Sequence, residues 1–403
     1  MSEQALTGIK VLEFANLVSG PYCGKLFAEL GAEVIKIELP VKGDDARRRK
    51  PFAGNTPGLE RSGLFSYLNS SKMGITLDPK TQKGRSIFLE LIKDADILIE
   101  NNAPMEMERM GLTYEILEKV NPRLIMTSIT PFGQTGPYRD YKAMELNIYQ
   151  GSGYGMISTA CFQEPVPTPI KAGGRQSEFG TAQAAAVATM CGIHARDVIH
   201  AGQHIDIAML ELMAGQTESS LQHWVLAENE MGGISDPVVQ PICPLPCKDG
   251  YFFLMCVEDH QYDKFINMIG NPEWNNSELF ANRFARAQYV DALIPLLSEW
   301  TMEHTKQEIF DMGQAAHVPL APAYNSEEVV NDPHLAARKY FQEIDHPVIG
   351  KAQYPGAPYR LSETPWRVRS PAPLLGQHNR EIYGNRLGYS EQELIILSQS
   401  GVI

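Results

Sequence analysis

Glu178 stands where turn-forming residues give way to an Ala-rich helical pattern, in GGRQSEFGTAQAAAVATM. A carboxylate near a helix start is favoured by the helix dipole by about 0.3–1 kcal/mol, and on position alone a capping role is the reading to prefer. The same group has a second chemistry, because carboxylate nucleophiles form covalent intermediates. The string Arg47-Arg48-Arg49-Lys50 is conspicuous in an acidic chain. It reads either as a solvated loop or, placed just after the strand-like VIKIE, as a docking point for phosphate groups. Lys72 and Arg109 are single basic residues on which spacing is silent. Cys243, Cys247, Cys256 and His260 offer four soft ligands. However, the first two lie in the Pro-rich PICPLPC and the third ends the buried-strand pattern YFFLMCV, so zinc is not assigned. His200 and His204 straddle a Gly-containing turn and receive no role.

Several chemistries lack their usual carriers. No GxGxxG follows a strand pattern, GSGYG at 151–155 having the wrong spacing, and no GxxxxGK[ST], GxSxG, HExxH or EF-hand loop is present. Lys plus Arg number 35 against 48 Asp plus Glu, a net charge of −13. That balance argues against a nucleic-acid partner, which needs a basic footprint, and leaves room for a small basic pocket. No uncharged apolar run approaches the ~18–20 residues of a membrane span. The opening MSEQALTGIKVLEF lacks a basic region followed by an apolar stretch, and six cysteines make no disulfide framework. The expectation is a cytoplasmic protein with reduced thiols and no membrane contact.

The elements that must carry these residues alternate in kind. Near-continuous apolar runs at Ile9–Phe14, Val34–Glu38, Ile97–Asn101 and Leu124–Thr130 are separated by helical spacing at Tyr22–Leu30 and Thr81–Lys93. This pattern predicts an α/β fold with a parallel sheet buried on both faces. Gly31 suits a left-handed helix end, and Asp78-Pro79 a helix start. The loop LPVKGDDARRR follows a strand, where open α/β sheets bind ligands. Helices are expected at Phe179–His200 and about 206–227. Near residue 230 a Gly/Pro-rich loop marks a change of texture, followed by a strand at Asp249–Val257 and helices near His260–Ile269, Ala287–Glu303 and Lys306–Gly313.

Many ordered strings then carry a resemblance: GIKVLEF, GPYCGKLFAELGAEVIKIE, GDDAR, NSSKMGITLD, ILIEN, ERMGL, NPRLIM, PFGQTGPYRDY, PIKAGG, CKDGYFF and VPLAPAYNSEEVVNDPH. From about residue 6 onward the chain resembles the family III CoA-transferases, which share a fold with α-methylacyl-CoA racemase. The resemblance implies a Rossmann-like large domain over 1–225, completed by 330–403, and a small α+β domain over 226–329. It also implies an interlocked-ring homodimer.

Position by position, Glu178 falls at the family's nucleophilic Asp, a departure of one methylene that moves the attacking oxygen by about 1 Å. The resemblance implies CoA contacts at Arg109, Asn101 and Lys72, and phosphate binding by Lys42 and Arg47 is added from their loop. Asn16, Val18 and Ser19 stand where the oxalate enzyme shapes its acid pocket, which argues against oxalate. Met144 and Glu145 join that pocket, and Gly232 and Gly233 fall near the family's mobile glycine loop. A racemase would need a His at the Met144-Glu145 position, and methionine takes no proton. The activity implied is transfer of CoA from an acyl-CoA to a free carboxylic acid through glutamyl anhydride and glutamyl-CoA thioester intermediates, with coenzyme A as substrate and no permanent cofactor or metal. The alternative is a supporting subunit of a hetero-oligomer with a homologous catalytic chain, with the racemase third.

Overall fold

The computed structural model describes residues 4–158, 169–217, 219–227 and 240–403. Two compact units divide the chain. The larger is built from 1–154, 171–217 and 339–403, and the smaller from 155–170 and 218–338.

The larger unit is organised by six parallel strands: β1 (Lys10–Phe14), β2 (Glu33–Glu38), β3 (Met73–Thr76), β4 (Ile97–Glu100), β5 (Ile125–Thr130) and β6 (Gln203–Ala208). Their order is β3-β2-β1-β4-β5-β6, so the winding reverses between β1 and β4. One face of the sheet packs Leu12, Ile37, Ile75, Leu98 and Met126 against the helix Gln82–Ile92 through Ile87, Phe88 and Leu91. The other packs Val11, Val34, Ile97, Ile99 and Ile125 against Cys23 and Phe27 of the helix Ser19–Glu29 and Ala182 and Ala185 of the helix Gln176–Ile199. Both faces are covered, which explains the continuous apolar runs of the central strands.

Two expectations need correction. The helix expected from about residue 206 begins only at Met209, because Gln203–Ala208 is paired as β6 against β5. Asp78-Pro79 does not open its helix; Thr81 caps it, its hydroxyl accepting from the Gly84 N–H at 2.9 Å. Gly31 does take the left-handed backbone at the end of the first helix, with φ +107°.

In the smaller unit an antiparallel sheet of β7 (Ile242–Cys247), β8 (Gly250–Met255) and β9 (Leu320–Pro322) packs Leu245, Phe252 and Leu254 onto Phe265, Leu293, Leu297 and Ile309 of its helices. Cys247 and Cys256 are buried in that core. Among the described residues no His, Cys, Asp or Glu cluster could hold a metal ion, and no helix is long and apolar enough to cross a membrane.

Candidate active site

The carboxyl ends of β1 and β4 face each other at the reversal point, and asparagines tie them together. The Asn101 carboxamide accepts from the Asn16 N–H at 2.8 Å and donates to the Asn16 carbonyl at 2.7 Å and the Ser19 hydroxyl at 3.1 Å. Asn16 in turn exchanges hydrogen bonds with Asp45, donating at 2.8 Å and accepting from the Asp45 N–H at 2.7 Å. Between them Leu17 takes φ +64°, a strained backbone for a branched residue, with its N–H donated to Asp44 at 2.9 Å.

A buried charge network underlies this loop. Lys36 donates to Glu13 at 2.9 Å and to the Ala15 carbonyl at 3.0 Å, and lies 2.8 Å from Asp44. Burial opposes its charge, but Asp44 and Glu13 outweigh that and raise its pKa. Lys72 lies 2.7 Å from the other Glu13 oxygen and donates to the Pro21 carbonyl and to Asn69. There burial wins over Glu13, and the Lys72 pKa is pulled down to about 8.

Above the network, loops following β1, β2, β3 and β4 line a cleft of about 130 Å³ that includes Asn16, Lys42, Lys80, Asn102, Glu106 and Met110. A complete small-molecule pocket spans ~300 Å³ or more, so this cleft would take only part of an extended ligand. Lys42 and Lys80 are exposed cations on its rim. Glu106 is shared between Lys80 at 3.0 Å and Arg109 at 2.7 Å.

A second cluster gathers at the start of the helix Gln176–Ile199. Glu145 and Glu178 are both buried. Glu145 accepts the N–H of Ser177 at 3.1 Å and of Glu178 at 3.2 Å, and lies 3.6 Å from the Lys171 ammonium. The Glu178 carboxylate receives Arg175 at 2.7 Å. Burial raises the Glu178 pKa; Arg175 opposes the rise, Glu145 adds to it and the exposed Arg49 opposes it. Tyr149 and Tyr154 sit edge to face nearby, with the Lys171 ammonium 5.6 Å from the Tyr149 ring.

The structure therefore sorts the sequence candidates. Lys42, Asn16, Asn101 and Arg109 meet at or beside the cleft, and Glu145 and Glu178 meet each other. Val18 and Ser19 are buried at the start of the first helix. Met144, by contrast, is exposed. Two of the phosphate candidates lie beneath the loops and not on the cleft lining. Arg47 is wholly buried, its guanidinium spread over Glu38, Glu60 and the Pro373 carbonyl. Lys72 is enclosed in the Glu13 network. Neither faces the cleft, because each is committed to a buried carboxylate. Gly232 and Gly233 lie outside the described residues. Sequence reasoning missed Lys80 and Asn102, although both follow strands as Lys42 and Asn101 do. It also missed Arg175, three residues before Glu178, and Lys171, which the fold brings to Glu145.

The family model for CoA-transferase family III matches residues 6–379. A formyl-CoA:oxalate CoA-transferase of Rhodopseudomonas palustris (strain BisA53) is 32% identical, covering 99% of this chain and 97% of its own. A succinyl-CoA–D-citramalate CoA-transferase of Chloroflexus aurantiacus is 34% identical over 99% of this chain and 98% of its own. Among solved structures, a CaiB/BaiF family protein from Brucella suis superposes with a TM-score of 0.84 at 31% identity, covering 95% of this chain and 99% of that one.

Proposed function

The chain belongs to CoA-transferase family III, and from that premise we propose that it passes CoA from an acyl-CoA to a free carboxylic acid by covalent catalysis on Glu178. One observation carries the choice of residue. The bland role for Glu178 was to cap its helix, and Glu145 already fills that role by accepting the Ser177 and Glu178 amides. Among the described residues, the hydrogen bond that the Glu178 side chain accepts comes from the Arg175 guanidinium and not from a helix N–H.

Glu178 would attack the thioester carbonyl, expelling CoA thiolate and leaving a mixed anhydride. The thiolate then attacks the glutamyl carbonyl, releasing the donor acid and forming a glutamyl-CoA thioester. The acceptor carboxylate attacks that carbonyl, again expelling thiolate and giving a second anhydride. Thiolate attack on the acceptor's acyl carbon releases the new acyl-CoA and restores Glu178. Burial of the carboxylate pair fits the need to keep water from hydrolysable intermediates. The cleft at the reversal point would take part of the CoA moiety, Lys42 and Lys80 meeting phosphates and Asn16 and Asn102 its polar edge. Arg109 would adjust the rim through Glu106, and Asn101 would hold the loop that bears Asn16.

Within the larger unit, Val187, Met190 and Val198 lie on one face of the helix Gln176–Ile199 and are 66%, 37% and 69% exposed. Such an apolar stripe supports a second copy of the chain as partner. The buried free thiols of Cys23, Cys247 and Cys256 fit a cytoplasmic setting.

The test is peptide mass spectrometry after incubation with an acyl-CoA panel and trapping by hydroxylamine or borohydride. A modified Glu178 peptide, absent from Glu178→Ala, supports the reading. One observation favours the supporting-subunit alternative: Arg175 engages a Glu178 oxygen at 2.7 Å and so stabilises the carboxylate against attack. CoA binding with no modification by any donor, and no transfer by the chain alone, would decide for it.

A further inference from the structure

We infer that Glu100 is a positioning residue for the cleft, fixing its Asn102 wall and joined through Ser128 to His204, so that the proton held by this buried chain sets how tightly a CoA anion binds. The inference rests on reading the cleft as the CoA site.

Glu100 ends β4 and is 1% exposed. One of its oxygens accepts the Asn102 N–H at 2.7 Å and the Asn102 carboxamide at 3.3 Å, while that carboxamide also donates to the Phe14 carbonyl at 3.0 Å. Asn102 is thus bound to β1 and β4 together, and it lines the cleft. The other Glu100 oxygen is buried and makes no direct hydrogen bond. Its neighbour is fully buried Ser128, paired opposite Glu100 in the sheet. The Ser128 hydroxyl lies 2.9 Å from His204 Nε2, and the His204 ring stacks on Tyr114.

Two proton arrangements satisfy this chain. With Glu100 neutral, its O–H donates to Ser128, whose O–H donates to His204 Nε2, and the imidazole keeps its proton on Nδ1. With Glu100 ionised, His204 Nε2–H donates to Ser128 and Ser128 donates to the carboxylate. Passing from the second to the first adds one proton at His204 Nδ1 and moves one along each link, with no other bond changed. The charged groups facing the chain are Asp206, which acts on Glu100 and His204, and Glu115, which acts on His204. Burial pushes the Glu100 carboxyl up to about 7, against the lowering pull of the neighbouring Ser128 and of Asn102, and burial lowers His204. The two arrangements therefore exchange near neutrality. An ionised Glu100 behind Asn102 opposes an anion in the cleft; a neutral one does not. Binding of CoA should accordingly draw a proton onto the chain.

The test is calorimetric titration of the whole protein with CoA at pH 6 and 8, and at pH 7 in two buffers of different ionisation enthalpy. It compares the natural protein with Glu100→Gln and Ser128→Ala. Secondary ionisation of the CoA phosphate near pH 6 is common to all three and cancels. The expected result is a Kd that weakens about tenfold more between pH 6 and 8 in the natural protein than in Glu100→Gln, one unit of pKa coupling being a factor of ten. Proton uptake at pH 7 should be larger by the same comparison. Ser128→Ala removes the hydroxyl that stabilises the ionised arrangement, so its step should move to higher pH. Equal pH dependence and proton uptake in Glu100→Gln, or an unmoved step in Ser128→Ala, overturns the inference and leaves the cleft reading intact. No CoA binding to the natural protein overturns the cleft reading itself.

Discussion

Arg47→Met separates a structural cation from a ligand-binding one. The guanidinium donates to both Glu38 oxygens at 2.7 and 2.8 Å, to Glu60 at 2.5 Å, and to the Leu59 and Pro373 carbonyls at 3.3 and 3.0 Å. Its carbon lies 3.6 Å from the Phe65 ring centre, so methionine keeps the apolar contact and removes the charge. Glu38 then stays buried without its bidentate partner, and breaking such a pair from one side costs about 3–5 kcal/mol. Glu38 still accepts the Asp44 N–H at 2.9 Å, and Glu60 is partly exposed, so the lower end, about 3 kcal/mol, is expected. Guanidinium unfolding followed in the transition of the larger unit measures it. Adding Glu38→Gln to the variant should recover part of the loss by removing the stranded charge. Stability within about 1 kcal/mol of the natural protein, together with a tenfold or greater loss of CoA affinity, would refute the assignment and put Arg47 on the ligand.

Glu178→Gln should abolish transfer while CoA still binds, read by single-turnover kinetics beside calorimetry. Lys42→Ala and Lys80→Ala should each raise the acyl-CoA KM several-fold with kcat nearly unchanged, and should flatten its salt dependence, since both cations lie on the cleft rim. The Glu178 carboxylate is the reactive form and its pKa is raised, so activity should fall as pH drops through that pKa. Arg175→Leu removes an opposing charge and should shift that acid limb to higher pH in a kcat profile. Thr81→Ala removes the hydroxyl cap on Gly84 and should cost about 1 kcal/mol by denaturant titration.

The four inner strands were legible because each is covered on both faces and so carries an unbroken apolar run. The two strands that escaped are the edges. β3 has only the residues Met73–Thr76, and β6 has half-buried residues with a polar Gln203, His204 and Asp206. A strand paired on one side and partly wet has no need of a continuous apolar run, and β6 was read as the start of a helix. At the site, the strand pattern placed Lys42 in a loop after a strand, while Asn16 and Asn101 came from the family resemblance; all three lie at or beside the cleft. Spacing could not tell an outward cation from one turned under the loop. Arg47 and Lys72 look like surface charge in the sequence because their partners, Glu38, Glu60 and Glu13, are brought to them by the fold. The capping of the Glu178 helix by Glu145, 33 residues away, leaves no local trace at all.

The larger unit takes its last segment, residues 339–403, from beyond the smaller one. That segment is no ornament: the Tyr383 hydroxyl donates to the Thr76 carbonyl at 2.7 Å, and His378 and Asn379 accept from the Gly74 and Thr76 amides. Edge strand β3 is therefore uncovered throughout synthesis of the intervening chain. At ~5–20 residues per second, the roughly 120 residues from 218 to 338 alone hold that edge open for about 6–24 s. The nascent chain thus spends its vulnerable interval with an unsatisfied β edge, and its yield in a host cell should depend on chaperone supply and on translation speed across the smaller unit.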